Sequence, residues 1–82
     1  MANPTPQQVE QSIALLDRGL NYHMNRMARA QGEDALWMLK NARYDEAVEA
    51  VCNAVAVCDN HLAGQFLREV RSILAPDRFA SA

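Results

Sequence analysis

Apolar residues recur along most of this chain at alternating spacings of four and three, the pattern of helices that bury one stripe. The first stripe runs through Val9, Ile13, Leu16, Leu20, His23, Met27 and Ala30. Thr5-Pro6-Gln7-Gln8 supplies a helix start, with Thr as N-cap, Pro in the first helical position and Gln placed to complete a capping box. A helix is therefore predicted over about 6–31, with Gly32 as its C-terminal stop. Glu33 and Asp34 suit the positive end of a second, short helix over 33–42. Within it Ala35-Leu36-Trp37-Met38-Leu39 is apolar on every side, which implies burial all round, under the long helices or in a subunit interface, with Trp37 as anchor. Asn41 is placed to take the left-handed cap conformation.

From Tyr44 the stripe returns through Val48, Val51, Val55, Cys58, Leu62, Phe66, Val70 and Ile73, so a third helix is predicted over 44–75, ending at Pro76. Asp59-Asn60 is also a plausible cap pair and Glu69 interrupts the stripe, so a break near 59 is the alternative. The tail 76–82 reads as flexible, with Phe79 folded back. Nowhere does the sequence alternate as a strand does. The expected fold is all-α in one domain over 1–82: an antiparallel helical hairpin with a short third helix, or a small three- to four-helix bundle.

At 82 residues the core is small, and chains of this size gain stability from disulfides, a metal, regular helix packing or self-association. Two cysteines do not make a disulfide scaffold. The N-terminus has neither the basic nor the apolar region of a signal peptide, and no apolar run approaches the about 18 residues needed to cross a bilayer. The chain reads as cytoplasmic, with reduced thiols and no membrane partner. A net charge of −2 argues against a general nucleic-acid binder, whose affinity rests on clustered positive charge.

Candidate chemistry is sparse. His23, Cys52, Cys58 and His61 are the ligand types for a zinc site, but Cys52 and Cys58 lie about 120° apart on a continuous helix and no CxxC knuckle is present, so no metal or other cofactor is expected. His23 reads as a core-edge histidine, as a polar seam residue that fixes register, or as a residue displaced while Met24 takes the seam. Ser12, Ser72 and Ser81 have no His partner at helical spacing, and neither a GxSxG elbow nor a glycine-rich phosphate loop occurs. Cys58 with His61 is the one nucleophile–base pair that a helix could join, without a recognisable oxyanion hole; no enzyme is expected.

Contact surfaces are more informative. Projected on the first helix, Leu15 and Tyr22 fall opposite the stripe and are flanked by Arg18, Arg26 and Arg29. Tyr and Arg are enriched at the energetic centres of protein interfaces. Late in the chain Ala63, Leu67, Val70 and Leu74 form a second apolar row beside Leu62, Phe66 and Ile73, wider than one partner helix covers. Either the Trp37 helix or a second subunit must cover it, and a homodimer is the expected solution. The expected interface is thus Leu15, Arg18, Tyr22, Arg26, Arg29, Trp37, Leu67 and Leu74.

Residues 44–57, YDEAVEAVCNAVAV, resemble the second helix of a tetratricopeptide repeat, with Tyr44, Ala47, Val51 and Ala54 at matching positions and Asp59 where the terminal turn would fall. The preceding segment departs from the pattern at Gln31 and Asp34. The resemblance implies peptide binding or a small chaperone-like helical adaptor. Size and pattern together lead to the expectation of a non-enzymatic protein-binding regulator or adaptor, of the inhibitor or anti-activator kind and in keeping with a phage or other mobile element. The alternative from another class is a small DNA-associated regulator using the corner Asn41–Asp45 with Lys40 and Arg43.

Overall fold

The computed structural model describes residues 3–76. They form four helices: α1 (Pro6–Leu20), α2 (Arg26–Lys40), α3 (Tyr44–Val57) and α4 (His61–Leu74). No strand occurs among the described residues. Residues 77–82 of the expected tail, Phe79 among them, lie outside the described residues. The small-bundle form of the all-α expectation is therefore the one observed, in its four-helix version.

α1 starts as its sequence dictates. The Thr5 hydroxyl accepts from the Gln8 backbone N–H (3.1 Å), and the Thr5 N–H donates to the Gln8 side chain (2.9 Å), closing the capping box. Its end differs from the expectation: the helix predicted to 31 stops at Leu20. The 3,4 spacing continues through His23 and Met27, but the chain turns at Asn21–Asn25 and starts α2 with Asn25 as N-cap, its side chain accepting from the Ala28 N–H (2.7 Å). The short helix predicted over 33–42 is the later part of α2. Gly32 is thus no helix stop. It sits buried in the middle of α2, where a Cβ would meet Leu20 Cδ2 at 3.0 Å.

The long third helix breaks as its alternative reading allowed. Asn60 caps α4 by accepting from the Ala63 N–H (3.0 Å). At the α2–α3 turn, Arg43 N–H reaches the Met38 carbonyl (2.8 Å) and Ala42 N–H the Leu39 carbonyl (3.3 Å), the bond pair of a Schellman motif. The left-handed residue is Ala42 (φ 59°) rather than Asn41 (φ −110°), because the motif places that conformation one position after the cap.

These breaks change which residues make the core. α2 packs most extensively on α3 and α1 on α4; α3–α4 and α1–α2 contacts are fewer, and together they close a ring. Each helix faces the ring's interior with small residues at helical spacing. The buried rows are Ser12, Leu16 and Gly19 on α1, and Ala28, Gly32, Ala35 and Leu39 on α2. On α3 Ala47, Val51 and Ala54 are buried together with Val48 and Ala50, and on α4 Ala63, Leu67, Val70 and Leu74 together with Gly64. Ser12, Leu16, Gly19, Asn25, Ala28, Ala35 and Leu39 correspond, 35 positions later, to Ala47, Val51, Ala54, Asn60, Ala63, Val70 and Leu74. The two hairpins, α1–α2 and α3–α4, thus repeat one pattern of buried positions and capping asparagines.

Small residues let helix backbones approach closely, and Gly19 shows how closely: a Cβ there would lie 3.0 Å from Phe66 Cβ. Ser12 is fully buried with its hydroxyl unpartnered, a polar atom set into an otherwise apolar row. The apolar row expected on α1 is correspondingly rotated. Of its members only Leu16 is buried; Val9, Ile13 and Leu20 are half-buried, and His23, Met27 and Ala30 are exposed. Met24 takes the buried place beside His23.

The two breaks also hold each other. Asn25 Nδ2 donates to the Val57 carbonyl (2.6 Å), and Asn60 Nδ2 donates to the His23 carbonyl (2.8 Å). The Asn25 backbone N–H donates to the Asp59 carboxylate (3.0 Å). Each asparagine therefore caps its own helix with its oxygen and ties the opposite turn with its nitrogen. Beneath this clasp lies a small apolar cluster of Met24, Ala28 and Ala63, packed by Leu20, Tyr22, Val57 and Cys58.

Candidate functional site

The residues expected at the interface are dispersed by the fold. Because α1 ends at Leu20, Tyr22 lies in the turn and does not stand above Leu15 on one helix face. Leu15 is half-buried and packs on the main core. Tyr22 stacks on Phe66 of α4, with ring centroids 5.7 Å apart at 30°. Arg29 turns inward and donates to the Tyr22 carbonyl (2.9 Å), while Arg26 stands exposed at the start of α2. Arg18, also exposed, lines a cleft of about 420 Å³ with Asn21, Tyr22 and Phe66.

Leu67 and Leu74 are core residues, only 1% and 8% exposed, and offer no surface. Their row is wider than one partner helix covers, and the break at 58–60 lets both α1 and α3 pack on α4, leaving Leu62 48% exposed. α3 forms over residues 44–57, the segment that resembles a repeat helix, with Ala47, Val51 and Ala54 buried, and α1 closes on α4 rather than leaving an open stack.

The candidate zinc ligands do not converge. Cys58 ends α3 and its thiol donates to the Asn60 carbonyl (3.4 Å); His61 is exposed and lies 3.3 Å from the Gln65 amide; Cys52 is half-buried against the core. Among the described residues no group of three or more His, Cys, Asp or Glu could hold a metal ion.

Trp37 is the large apolar residue of the expected interface that remains on a surface. It is 54% exposed, although its neighbours Ala35 and Leu39 are buried. The segment 35–39 is thus buried on one side only. At about 100° per residue, Met27, Ala30, Asp34 and Trp37 share roughly 80° of arc on the side of α2 turned away from the buried row. All four are exposed, Met27 at 66%. Trp37 stands one turn after Glu33 and Asp34, both exposed and without an ion pair among the described residues.

Across the turn, the Arg43 guanidinium lies 5.7 Å from the Trp37 ring centroid and is held there by Glu46, with Nε and Nη2 at 3.0 and 2.9 Å from Oε1. This exposed pair adds little stability, but it orients Arg43 over the indole. The same residues place Arg43, expected as a DNA-contacting cation, against a glutamate. Beside them a recess of about 330 Å³ is lined by Asn3, Ala42, Arg43, Tyr44, Asp45 and Glu46.

Besides the expected anchor Trp37, the site includes carboxylates outside the expected interface, and the sequence carries a signal for two of them: Glu33 and Asp34 precede Trp37 by four and three positions, the spacing of neighbours on one helix face. No helix among the described residues is long and apolar enough to cross a membrane. Comparison with models of protein families, with curated proteins and with solved structures finds no match.

Proposed function

We propose that this chain is a non-enzymatic, protein-binding regulator or adaptor that docks the outward face of α2 onto a partner protein, in the manner of an inhibitor or anti-activator. One observation carries the reading: Trp37 keeps half of its surface in water on a row that also exposes Met27. A tryptophan offers about 200 Å² of burial, so covering its free half removes roughly 100 Å² from water and contributes about 2–3 kcal/mol to association. Tryptophan is enriched among the few residues that dominate interface energetics. The rest of the bundle, clasped at one end and closed on its own core, supports this face as a rigid platform, which lowers the entropic cost of docking.

The test is capture from cell extract on immobilised wild-type protein and on Trp37→Ala. Because Trp37 contributes little to the core, the variant should keep its helicity. The expected outcome is a protein retained by the wild type and lost by the variant. Identical retention by both would refute docking through this face.

A further inference from the structure

We infer that the partner of the Trp37 face is a basic amphipathic segment, one that lays an apolar side chain on the indole and sets Lys or Arg against the carboxylates around it. This rests on the docking function proposed above and adds the partner's chemistry. The argument is charge complementarity around a half-exposed aromatic. On the α2 side, Glu33 and Asp34 flank Trp37 one turn before it, exposed and without an ion pair among the described residues.

On the α3 side, Asp45, Glu46 and Glu49 are exposed, and the recess at the α2–α3 corner has Asp45 and Glu46 in its wall. Arg43 is occupied by Glu46 and by the indole, and the other exposed cations of α2, Arg26 and Lys40, are outnumbered by the four remaining carboxylates, Glu33, Asp34, Asp45 and Glu49. An acidic partner would meet those carboxylates at close range, a repulsion that selects against it. A basic partner gains from each of them, and its apolar stripe finds Trp37 and Met27 on one side of α2.

The experiment uses the full chain and two synthetic peptides of the length of α2, 15 residues. One is amphipathic with leucine and lysine, the other has glutamate at every lysine position. Trp37 is the chain's single tryptophan, so its emission reports directly on this face. Labelled-peptide anisotropy serves the variant that lacks it. The expected result is a blue shift and saturable binding with the lysine peptide alone, weakened by added salt.

Binding should fall roughly tenfold or more in Glu33→Lys/Asp34→Lys, in keeping with loss of complementary charge across an interface. It should be lost in Trp37→Ala and persist in Asp17→Lys/Glu69→Lys, which makes the same charge change on α1 and α4. Equal binding of the glutamate peptide, or an unaltered affinity in Glu33→Lys/Asp34→Lys, would overturn the basic-partner assignment while leaving docking through Trp37 standing. An unchanged Trp37 emission with both peptides would overturn it too. Capture of a protein that depends on Trp37 would then still uphold the broader function. Light scattering that shows a dimer abolished by Trp37→Ala would instead make a second copy the occupant and would also overturn the assignment.

Discussion

At one end of the helix ring the turns 21–25 and 58–60 bond to each other through Asn25 and Asn60; at the other, the turn 41–43 bonds only to the two helices it joins. The first end spends its polar atoms on joining two hairpins distant in sequence. The second spends them on a local reversal and leaves Trp37, Arg43 and Glu46 facing water. In this molecule the end that fixes the fold and the face free to bind are therefore separate, so each can be altered without the other.

The strongest way to break that contrast is to remove a clasp side chain. Asn25→Ala or Asn60→Ala deletes an N-cap, worth about 1 kcal/mol, and a cross-turn bond of similar value. Each should cost about 2 kcal/mol and lower the melting temperature by on the order of 10 °C. Asn41→Ala, which loses only the exposed bond from its amide to the Trp37 carbonyl, should stay within about 0.5 kcal/mol. Equal costs for Asn25→Ala and Asn41→Ala in thermal melts would erase the distinction between the ends.

A smaller loss should follow Gly19→Ala. The added methyl meets Phe66 Cβ at 3.0 Å, close to a backbone that cannot yield, so an overpacking cost of about 1–2 kcal/mol outweighs the helix preference of alanine. Gly32→Ala meets only the mobile tip of Leu20 and should be neutral or stabilising, which denaturant melts of the pair would show.

The smallest change is a gain at the other end. Ala42→Gly relieves a side chain held at φ 59° and should stabilise by about 0.5–1 kcal/mol, less any entropy gained by the unfolded chain. A loss there would mean that the turn is not strained.

Much of this architecture can be read from the residues, and the parts that cannot share a cause. The start of α1 is legible because Thr5, Pro6 and Gln8 act within one turn. The break at Asn60 is legible because Asp59-Asn60 interrupts the apolar run. The break at Asn25 is hidden by a 3,4 pattern that passes through it unchanged, and what fixes it is a bond to Val57, 32 positions away. The core rows of α1 and α2 escape notice because Ser12, Gly19, Ala28 and Gly32 score weakly as apolar, yet close packing favours them over larger side chains. Half of the Trp37 site was visible. The indole stands out as a residue, whereas Arg43 and Glu46 join it only once the turn brings α3 beside α2.

One consequence of the ring lies in how it must come apart. The most extensive contacts run between hairpins, α2 on α3 and α1 on α4, and the fewest within the first hairpin. Neither half owns a core that it could keep alone. Opening one seam strips cover from both halves, so partial unfolding gains little and the molecule should melt in a single cooperative step, with the first half as dependent on the second as two subunits of an obligate dimer are on each other.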